Sequence, residues 1–318
     1  MEGPTPVSAL IHAATLVVAG VFLIIRCSVL FENSATVLFI VSIIGALTSF
    51  FAASVGLFQN DLKRVIAYST CSQLGYMVFI TGLSHYSVSM FHLANHAVFK
   101  ALLFLSAGCI IHGLSDEQDL RKMGGLLNIF PVSYVMILIG SLALIGFPFL
   151  TGFYSKDCIL EIAVAKHNTV GNFCYFLGCS AAFCTAFYSF RLVFLTFINP
   201  VNSFKVYVEH AHDAPITMVF PLLILSLGAM FYGYITRDLM IGLGSLFFNN
   251  IHTNYYNFVI IDSEFLPALI KNIPFVFTCL GAVFSLLLIH CFGVSKQKVM
   301  DFKLQEFPRT IYTFLNKK

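Results

Sequence analysis

Long apolar runs separated by short polar connections extend along most of this chain. A bilayer core about 30 Å thick is crossed by roughly 20 apolar residues in a helical conformation. By that rule the sequence predicts an all-α fold, a polytopic transmembrane helix bundle of about eight spans. The predicted spans are Val7–Ile25, Val37–Phe58, Val65–Leu83, Ser87–Ile111, Pro131–Lys166, Val170–Phe197, Met218–Ile235 and Phe275–Phe292. The asparagine-rich stretch Thr236–Asn272 is predicted to be a loop with a short surface helix.

One predicted span, Pro131–Lys166, is too long for a single straight crossing. Its centre contains the breaker cluster Gly146–Gly152, which is soon followed by Lys156 and Asp157. One interpretation is two spans joined by a tight turn. The other is a single discontinuous helix interrupted by an extended segment, which survives at membrane depth only where protein or water satisfies its backbone. The distribution of basic residues favours the discontinuous helix.

If the discontinuous helix counts as one crossing, the basic residues fall into two unequal groups on opposite sides of the membrane. Inside loops carry an excess of Lys and Arg, so the larger group and the C-terminal tail are predicted to lie inside. The larger group is Lys63, Arg64, Arg121, Lys122, Lys205, Lys296, Lys298, Lys303, Arg309, Lys317 and Lys318. The smaller group is Arg26, Lys166, Arg237 and Lys271.

The composition excludes several classes of protein. Of the 318 residues, 58% are hydrophobic and only 10% are charged, which excludes a soluble enzyme. The formal net charge of +3 is too small and too dispersed for a nucleic-acid-binding protein. The nine cysteines form no CxxC pair, so we interpret them as packing residues. The sequence contains no phosphate-binding loop or dinucleotide motif, so we predict no cofactor, no metal and a chemistry of ion movement.

Ionisable side chains inside a bilayer are costly and mark functional sites by default. The sharpest set is His92, His96 and Lys100, whose four-residue spacing places them as one stripe along a helix face. Histidine titrates near neutral pH, so the stripe suits proton transfer through intervening water. A zinc site on the histidine pair is disfavoured by the cation on the same face. A purely structural, hydrogen-bonded stripe is the other alternative.

Lys156 and Asp157, just after the predicted break, form a second candidate site. A lysine beside a discontinuous helix can hold a proton whose affinity depends on how closely a carboxylate approaches. Asp157 and Glu161 are predicted to lie on the same half-helix as the lysine. An interfacial ion pair at a helix end is the alternative. His12 is a lone histidine in an apolar span, and taken alone it is better explained as a hydrogen-bonded core residue.

Four motifs give the chain a family resemblance. They are Glu2–Thr15 (EGPTPVSALIHAAT), Gln59–Gln73 (QNDLKRVIAYSTCSQ), His92–Leu105 (HLANHAVFKALLFL) and Phe147–Asp157 (FPFLTGFYSKD). The chain resembles the proton-pumping, antiporter-like membrane subunits of respiratory complex I and of Mrp-type sodium/proton antiporters. The motifs are long and specific, and the resemblance thins through the later spans.

The resemblance implies a role for each candidate residue. His12 matches the central-axis histidine of the family, and the stripe matches the polar connection to its central buried lysine, here Lys100. Lys156, with Asp157 beside it, matches the lysine on a discontinuous helix that leads to the outer side. In that picture, ubiquinone reduction elsewhere in an NADH:ubiquinone oxidoreductase drives charge changes along a hydrated axis in the mitochondrial inner membrane. This chain would contribute no redox chemistry of its own.

The resemblance also implies partners. Family members carry an earlier half with a glutamate–lysine pair, and they continue after a tail resembling Pro308–Lys318 into a long lateral helix. We therefore predict one product of a split gene, docked against separately made chains and other membrane-arm subunits. An experimental truncation is the alternative.

Two other functions stay open on the sequence alone: a subunit fragment of an Mrp-type antiporter, and an assembly scaffold whose buried charges only hold neighbours together. The predicted organisation has three parts. Residues 1–166 form the proton-channel half, residues 167–295 contribute further transmembrane helices, and residues 296–318 form an inside-facing tail.

Overall fold

A computed structural model describes residues 3–203, 207, 208, 211–242, 245, 247 and 258–293, with the backbone alone at 12, 13, 258 and 289–293. All longer regular elements in these ranges are helices. They are α1 Thr5–Arg26, α2 Ser28–Glu32, α3 Ala35–Phe58, α4 Leu62–Gly82, α5 Tyr86–Gly113, α6 Pro131–Ile145, α7 Thr151–Ala165, α8 Thr169–Ile198, α9 Ile216–Met240, α10 Phe258–Glu264 and α11 Ala268–Gly293.

The predicted all-α transmembrane bundle is confirmed. Six helices (α1, α3, α5, α8, α9 and α11) are long and apolar enough to cross a membrane. Helix α4 is also long, but it is less apolar because most of its residues are enclosed in the bundle, where it contributes buried polar groups. Together with the discontinuous pair α6 and α7, these helices account for the predicted spans.

The predicted loop Thr236–Asn272 is too long. Helix α9 continues to Met240 and α11 already begins at Ala268, so both helices extend into the stretch. Helix α10 supplies the predicted short helix between them. The end of α9 is tied to α10 by an ion pair, in which Arg237 contacts Glu264 at 2.7 Å. The asparagines at 249, 250, 254 and 257, which suggested the loop, lie outside the described residues. The predicted tail, 296–318, and Lys205 lie outside the described residues.

Helices α3 and α4 pack with their backbones in close approach. A methyl group at Gly75 would lie 2.5 Å from the backbone nitrogen of Ser49, so a larger residue would force the helices apart. Small residues permit this approach where lipid gives no hydrophobic drive between helices. The pairing holds α4 with its polar side chains turned toward α5, α7 and α8.

The discontinuous helix crosses the bundle once. Helix α6 is followed by its C-cap Gly146, whose φ of 89° is left-handed and favours glycine. At its other end, the N-cap Phe130 packs against Gly113 at the end of α5. Helix α7 ends next to Lys166, whose amine donates to the carbonyl of Leu83, before the start of α5. The two outer ends therefore lie on opposite faces, as the discontinuous-helix interpretation requires.

A distant carboxylate caps the first half-helix. Asp213 accepts hydrogen bonds from the backbone N–H of Val132 at 2.9 Å and from the hydroxyl of Ser133 at 2.8 Å. A negative group at a helix N-terminus is favourable, because free N–H groups point at it and the helix dipole is positive there. This contact anchors the start of α6 beside the start of α9.

Candidate functional site

The stripe of His92, His96 and Lys100 lies at the centre of the bundle. Their exposed fractions are 1%, 0% and 0%, and the imidazole centroids of the two histidines are 6.3 Å apart. Helix α5 forms the stripe because residues four apart along a helix share one face. Helices α4 and α7 provide the side chains that are hydrogen-bonded to the stripe.

His92 joins the stripe to two other helices. Its Nε2 lies 3.2 Å from Oε1 of Gln73 on α4, and its Nδ1 lies 2.8 Å from Oγ of Ser155 on α7. An amide oxygen only accepts, so this pairing assigns the hydrogen to Nε2 and lets Nδ1 accept from the hydroxyl. Ser155 immediately precedes Lys156, so the imidazole is bonded to the turn of α7 that carries the second lysine. Both ring nitrogens are thereby engaged without a metal.

Lys156 is 1% exposed and sits at the break in the discontinuous helix. Its Nζ donates to the carbonyl of Ile145 at 3.2 Å and to Oγ1 of Thr185 at 3.1 Å. It also lies 5.6 Å from the ring centroid of Tyr76. Ile145 is the last residue of α6, where the helix dipole is negative, and an aromatic face also attracts a cation. The charge is thus stabilised by dipoles rather than by an ion pair.

Carboxylates stay at a distance from both lysines. Among the described residues, no Asp or Glu oxygen lies within 4.0 Å of either amine. Asp157 is half-buried beside the break, near Gly146, and Glu161 is half-buried one turn further along α7. The alternative interpretation, an interfacial ion pair at this helix end, needs a close carboxylate that the described residues do not supply.

Lys100 donates to the hydroxyl of Ser69 on α4. Ser69 also lines a cavity of about 10 Å³ between α4, α6 and α8, close to the space that one water needs. Several buried polar atoms nearby have no protein partner: Gln73 Nε2, both side-chain atoms of Asn95, both ring nitrogens of His96 and Tyr188 Oη. Buried polar groups are almost always hydrogen-bonded, so water is the partner that suits them.

His12 lies in a π-helical segment, Ser8–Thr15, within α1. Such segments are rare and are frequent at functional sites. This segment packs against α5, the helix that carries the stripe. The side chain of His12 lies outside the described part of the chain, so its contacts with the stripe stay a prediction.

The sequence did not identify the partners of the two lysines and of His92. These partners are Ser69, Tyr76 and Thr185 for the lysines and Gln73 for the histidine, and each is a common polar residue on the apolar helices α4 and α8. The signal in the sequence was weak: Ser69 and Gln73 belong to one of the quoted motifs, and they lie four residues apart on α4.

The fold and the site define a class: a polytopic helical membrane protein with two lysines and two histidines buried in its core. The family model described as "NADH:quinone oxidoreductase/Mrp antiporter, TM" matches residues 1–183. The chain belongs to that family.

Named relatives agree with this assignment. The chain is 57% identical over 320 aligned positions to "NADH-ubiquinone oxidoreductase chain 5" of Marchantia polymorpha, covering 100% of this chain and 47% of the relative. It is also 57% identical to the protein of the same name from Arabidopsis thaliana, with the same coverage. The chain therefore spans about half the length of these curated relatives.

Two solved structures share the fold. The Mrp complex from Dietzia sp. DQ12-45-1b matches with a TM-score of 0.70 and 22% identity, covering 98% of this chain and 33% of that one. An archaeal membrane-bound sulfane sulfur reductase matches with a TM-score of 0.57 and 26% identity, covering 66% of this chain and 35% of that one. At 22% identity, the similarity to the Mrp complex concerns the fold alone.

Proposed function

We propose that this chain is a proton-translocating subunit of the membrane arm of respiratory complex I, located in the mitochondrial inner membrane. Protons pass between Lys100 and Lys156 through His96 and His92. Electron transfer from NADH to ubiquinone takes place in other subunits, and this chain holds no cofactor. The names of the relatives support the complex, and the family supports the transport chemistry.

The observation that carries the proposal is the position of His92. It is hydrogen-bonded to Ser155 at the foot of the second lysine, and it shares a helix face with Lys100. A neutral imidazole accepts a proton on one nitrogen and releases one from the other, so it can connect two amines without a net charge. Water next to the unpartnered nitrogens of His96 completes the path from Lys100. His12 transfers protons at the opposite end of this axis. Asp157 influences whether Lys156 is protonated.

The direct test is Lys100→Met, which keeps most of the side-chain volume and removes the titrating amine. In an assembled complex reconstituted in liposomes, we expect proton translocation per NADH oxidised to fall by about 10-fold or more, because a positioned proton-transfer group contributes about 10²–10⁴-fold. Lys122→Met is the matched control, because Lys122 lies on the surface in an ion pair with Glu117. The control is expected to translocate protons at the rate of the unmodified complex.

The alternative functions give different results in the same assay. A scaffold would keep normal translocation in assembled Lys100→Met, and that result would refute the proposal. A fragment of an Mrp-type antiporter would instead show sodium-dependent proton exchange and no NADH-linked activity in the complex that contains it.

We also propose that this chain assembles with other membrane-arm subunits of the complex, in keeping with the names of its relatives. Mass spectrometry of the native complex gives the test. Further membrane-arm subunits are expected to co-purify with the chain, and recovery of the chain alone would contradict the proposal.

A further inference from the structure

A second group of titratable residues lies at one end of the bundle, away from the two lysines. Tyr86, at the start of α5, donates from its hydroxyl to Oε1 of Glu32 at 2.9 Å. Lys166, at the end of α7, donates to the carbonyl of Leu83. His85 directly precedes Tyr86, at the N-terminus of α5, and is 4% exposed. We call His85, Glu32, Tyr86 and Lys166 the terminal cluster.

No helix cap or hydrogen bond at Nδ1 accounts for the burial of the His85 side chain. It occupies the N-cap position of α5, but its side chain makes no capping hydrogen bond, and its Nδ1 is buried without a partner. A buried polar atom left unpaired costs about 1–3 kcal/mol. An unpaired ring nitrogen at a helix end therefore indicates an exchangeable partner, such as water or a proton.

His85 also continues the stripe. It precedes His92 by seven residues, which is close to two helical turns and about 10 Å along the same face of α5. Ser89 lies between them and is 0% exposed. The line of buried polar groups on α5 thus runs from Lys100 past His92 to the terminal cluster.

We propose that His85 is a further proton-relay residue, which carries protons between the His92 end of the axis and the membrane face at Glu32. A proton delivered to one ring nitrogen is matched by release of the proton from the other nitrogen to the Glu32 carboxylate. Rotation of the ring then restores the starting tautomer. This inference rests on the proposed function, because without a proton axis His85 has nothing to relay.

The surrounding charges suit a relay rather than a permanent ion pair. Burial, and to a lesser extent the ammonium of Lys166, lower the pKa of His85 to about 3, so the resting ring is neutral. The charged group that acts on the ring is Lys166, from the end of α7, while the carboxylate of Glu32 from α2 accepts from the hydroxyl of Tyr86, the next residue of the chain. A neutral ring next to an ammonium can receive and release a proton without being trapped as a cation.

The test compares His85→Gln and Glu32→Gln in the assembled complex in liposomes. Glutamine keeps polar contacts at both positions but cannot titrate, so we expect proton translocation per NADH to fall by about 10-fold or more in each variant. His112→Gln is the matched control, since His112 lies exposed at the opposite end of α5 and is expected to have no effect. His85→Ala adds a second readout: added imidazole is expected to restore translocation in a relay, which a purely structural histidine would not permit.

The outcomes separate the two proposals. Normal translocation in assembled His85→Gln, or in Glu32→Gln if the histidine variant does not assemble, would overturn the relay at His85. Loss in His85→Gln with normal translocation in Glu32→Gln would overturn the route through Glu32. If Lys100→Met also translocates normally, the proposed function itself fails. If translocation is lost in Lys100→Met but stays normal in the variants of His85 and Glu32, the proposed function stands and only the terminal cluster is removed from the pathway.

Discussion

At the scale of single residues, the central feature is a buried lysine amine whose direct neighbours are all uncharged. Lys156 has a helix-end carbonyl, a hydroxyl and an aromatic face as neighbours, and no carboxylate oxygen of the described residues lies within 4.0 Å. Hydrogen bonds to charged groups are worth about 1.5–3 kcal/mol each, so every such partner influences whether the amine keeps its proton. A carboxylate in direct contact would keep the amine protonated, whereas uncharged dipoles allow the amine to gain and lose its proton.

The partners of Lys156 therefore give a prediction. Thr185→Val removes the hydroxyl that accepts from Nζ while preserving the shape of the side chain. We expect translocation to slow by about 10-fold, with normal assembly, because the lost bond is worth about 1.5–3 kcal/mol to the charged form. Thr196→Val is the control, since that buried hydroxyl bonds only to carbonyls of its own helix. Equal rates in both variants would remove Thr185 from the mechanism.

The neutral state of His85 predicts how stability depends on pH. Its pKa in the folded protein is about 3, below the ordinary value of 6.5, so the folded state holds fewer protons than the unfolded chain. Its contribution to stability is present above pH 6.5 and is lost as the pH falls from 6.5 towards 3. We expect the melting temperature in detergent to drop by several degrees from pH 7 to pH 5, and the drop to be smaller in His85→Gln. An unchanged slope in that variant would contradict a neutral, buried His85.

The sequence could predict the stripe but not the contacts that connect it. Spacing alone places His92, His96 and Lys100 on one helix face, because helical geometry is local. The bond from His92 to Ser155 joins residues 63 positions apart, and such pairings depend on how helices pack. His85 fell in a predicted connection, so its place on the same face became visible only with the true start of α5.

At the scale of helices, the discontinuous pair α6 and α7 determines where Lys156 meets its partners. A methyl group at Gly152 would overlap the carbonyl oxygen of Ala143 in the last turn of α6. The two half-helices approach this closely only because residue 152 has no side chain. The break therefore needs glycine at two places: Gly146 for its left-handed φ, and Gly152 for the contact.

Gly152→Ala is predicted to separate the two half-helices. Overpacking of this kind costs about 1–3 kcal/mol, and it moves Lys156 away from the carbonyl of Ile145. We expect a lower melting temperature and slower translocation in the assembled complex. Gly20→Ala is the matched control, because no heavy atom lies within 4 Å of the added methyl group. A variant at Gly152 as stable and active as the control would show that the close contact is not required.

Helix boundaries show where sequence patterns lose information. The glycine and proline cluster predicted the break in α6 and α7, since such residues disrupt a helix wherever they occur. The end of α9 could not be placed, because Arg237 and Asp238 suggest a loop by their polarity. Arg237 is instead paired with Glu264 on α10, an interaction between residues far apart in the sequence.

At the scale of the whole molecule, the described basic residues divide between two faces. Lys63, Arg64, Arg121 and Lys122 lie on one face, where the backbone of Leu62 bonds to that of Gln118. Arg26, Lys166, Arg237 and Lys271 lie on the other. Arg191, which donates to the carbonyl of Gln59 and to Oδ1 of Asn60, adds a fifth basic residue to the first face. Five against four is a small difference, so the predicted excess on the first face depends on Lys205 and on tail residues outside the described part. The orientation therefore stays a prediction, which membrane labelling can test.

Two exposed asparagines allow that test. Asn128 lies in the connection on the face of Lys122, and Asn168 precedes α8 on the face of Lys166 without a capping hydrogen bond from its side chain. Because basic loops stay inside, an impermeant maleimide should label Asn168→Cys in mitochondria stripped of their outer membrane, but label Asn128→Cys only after permeabilisation. The unmodified chain corrects for its own cysteines. Reversed labelling would invert the orientation and place the terminal cluster on the matrix side, so the proposed relay at His85 would then serve proton uptake instead of release.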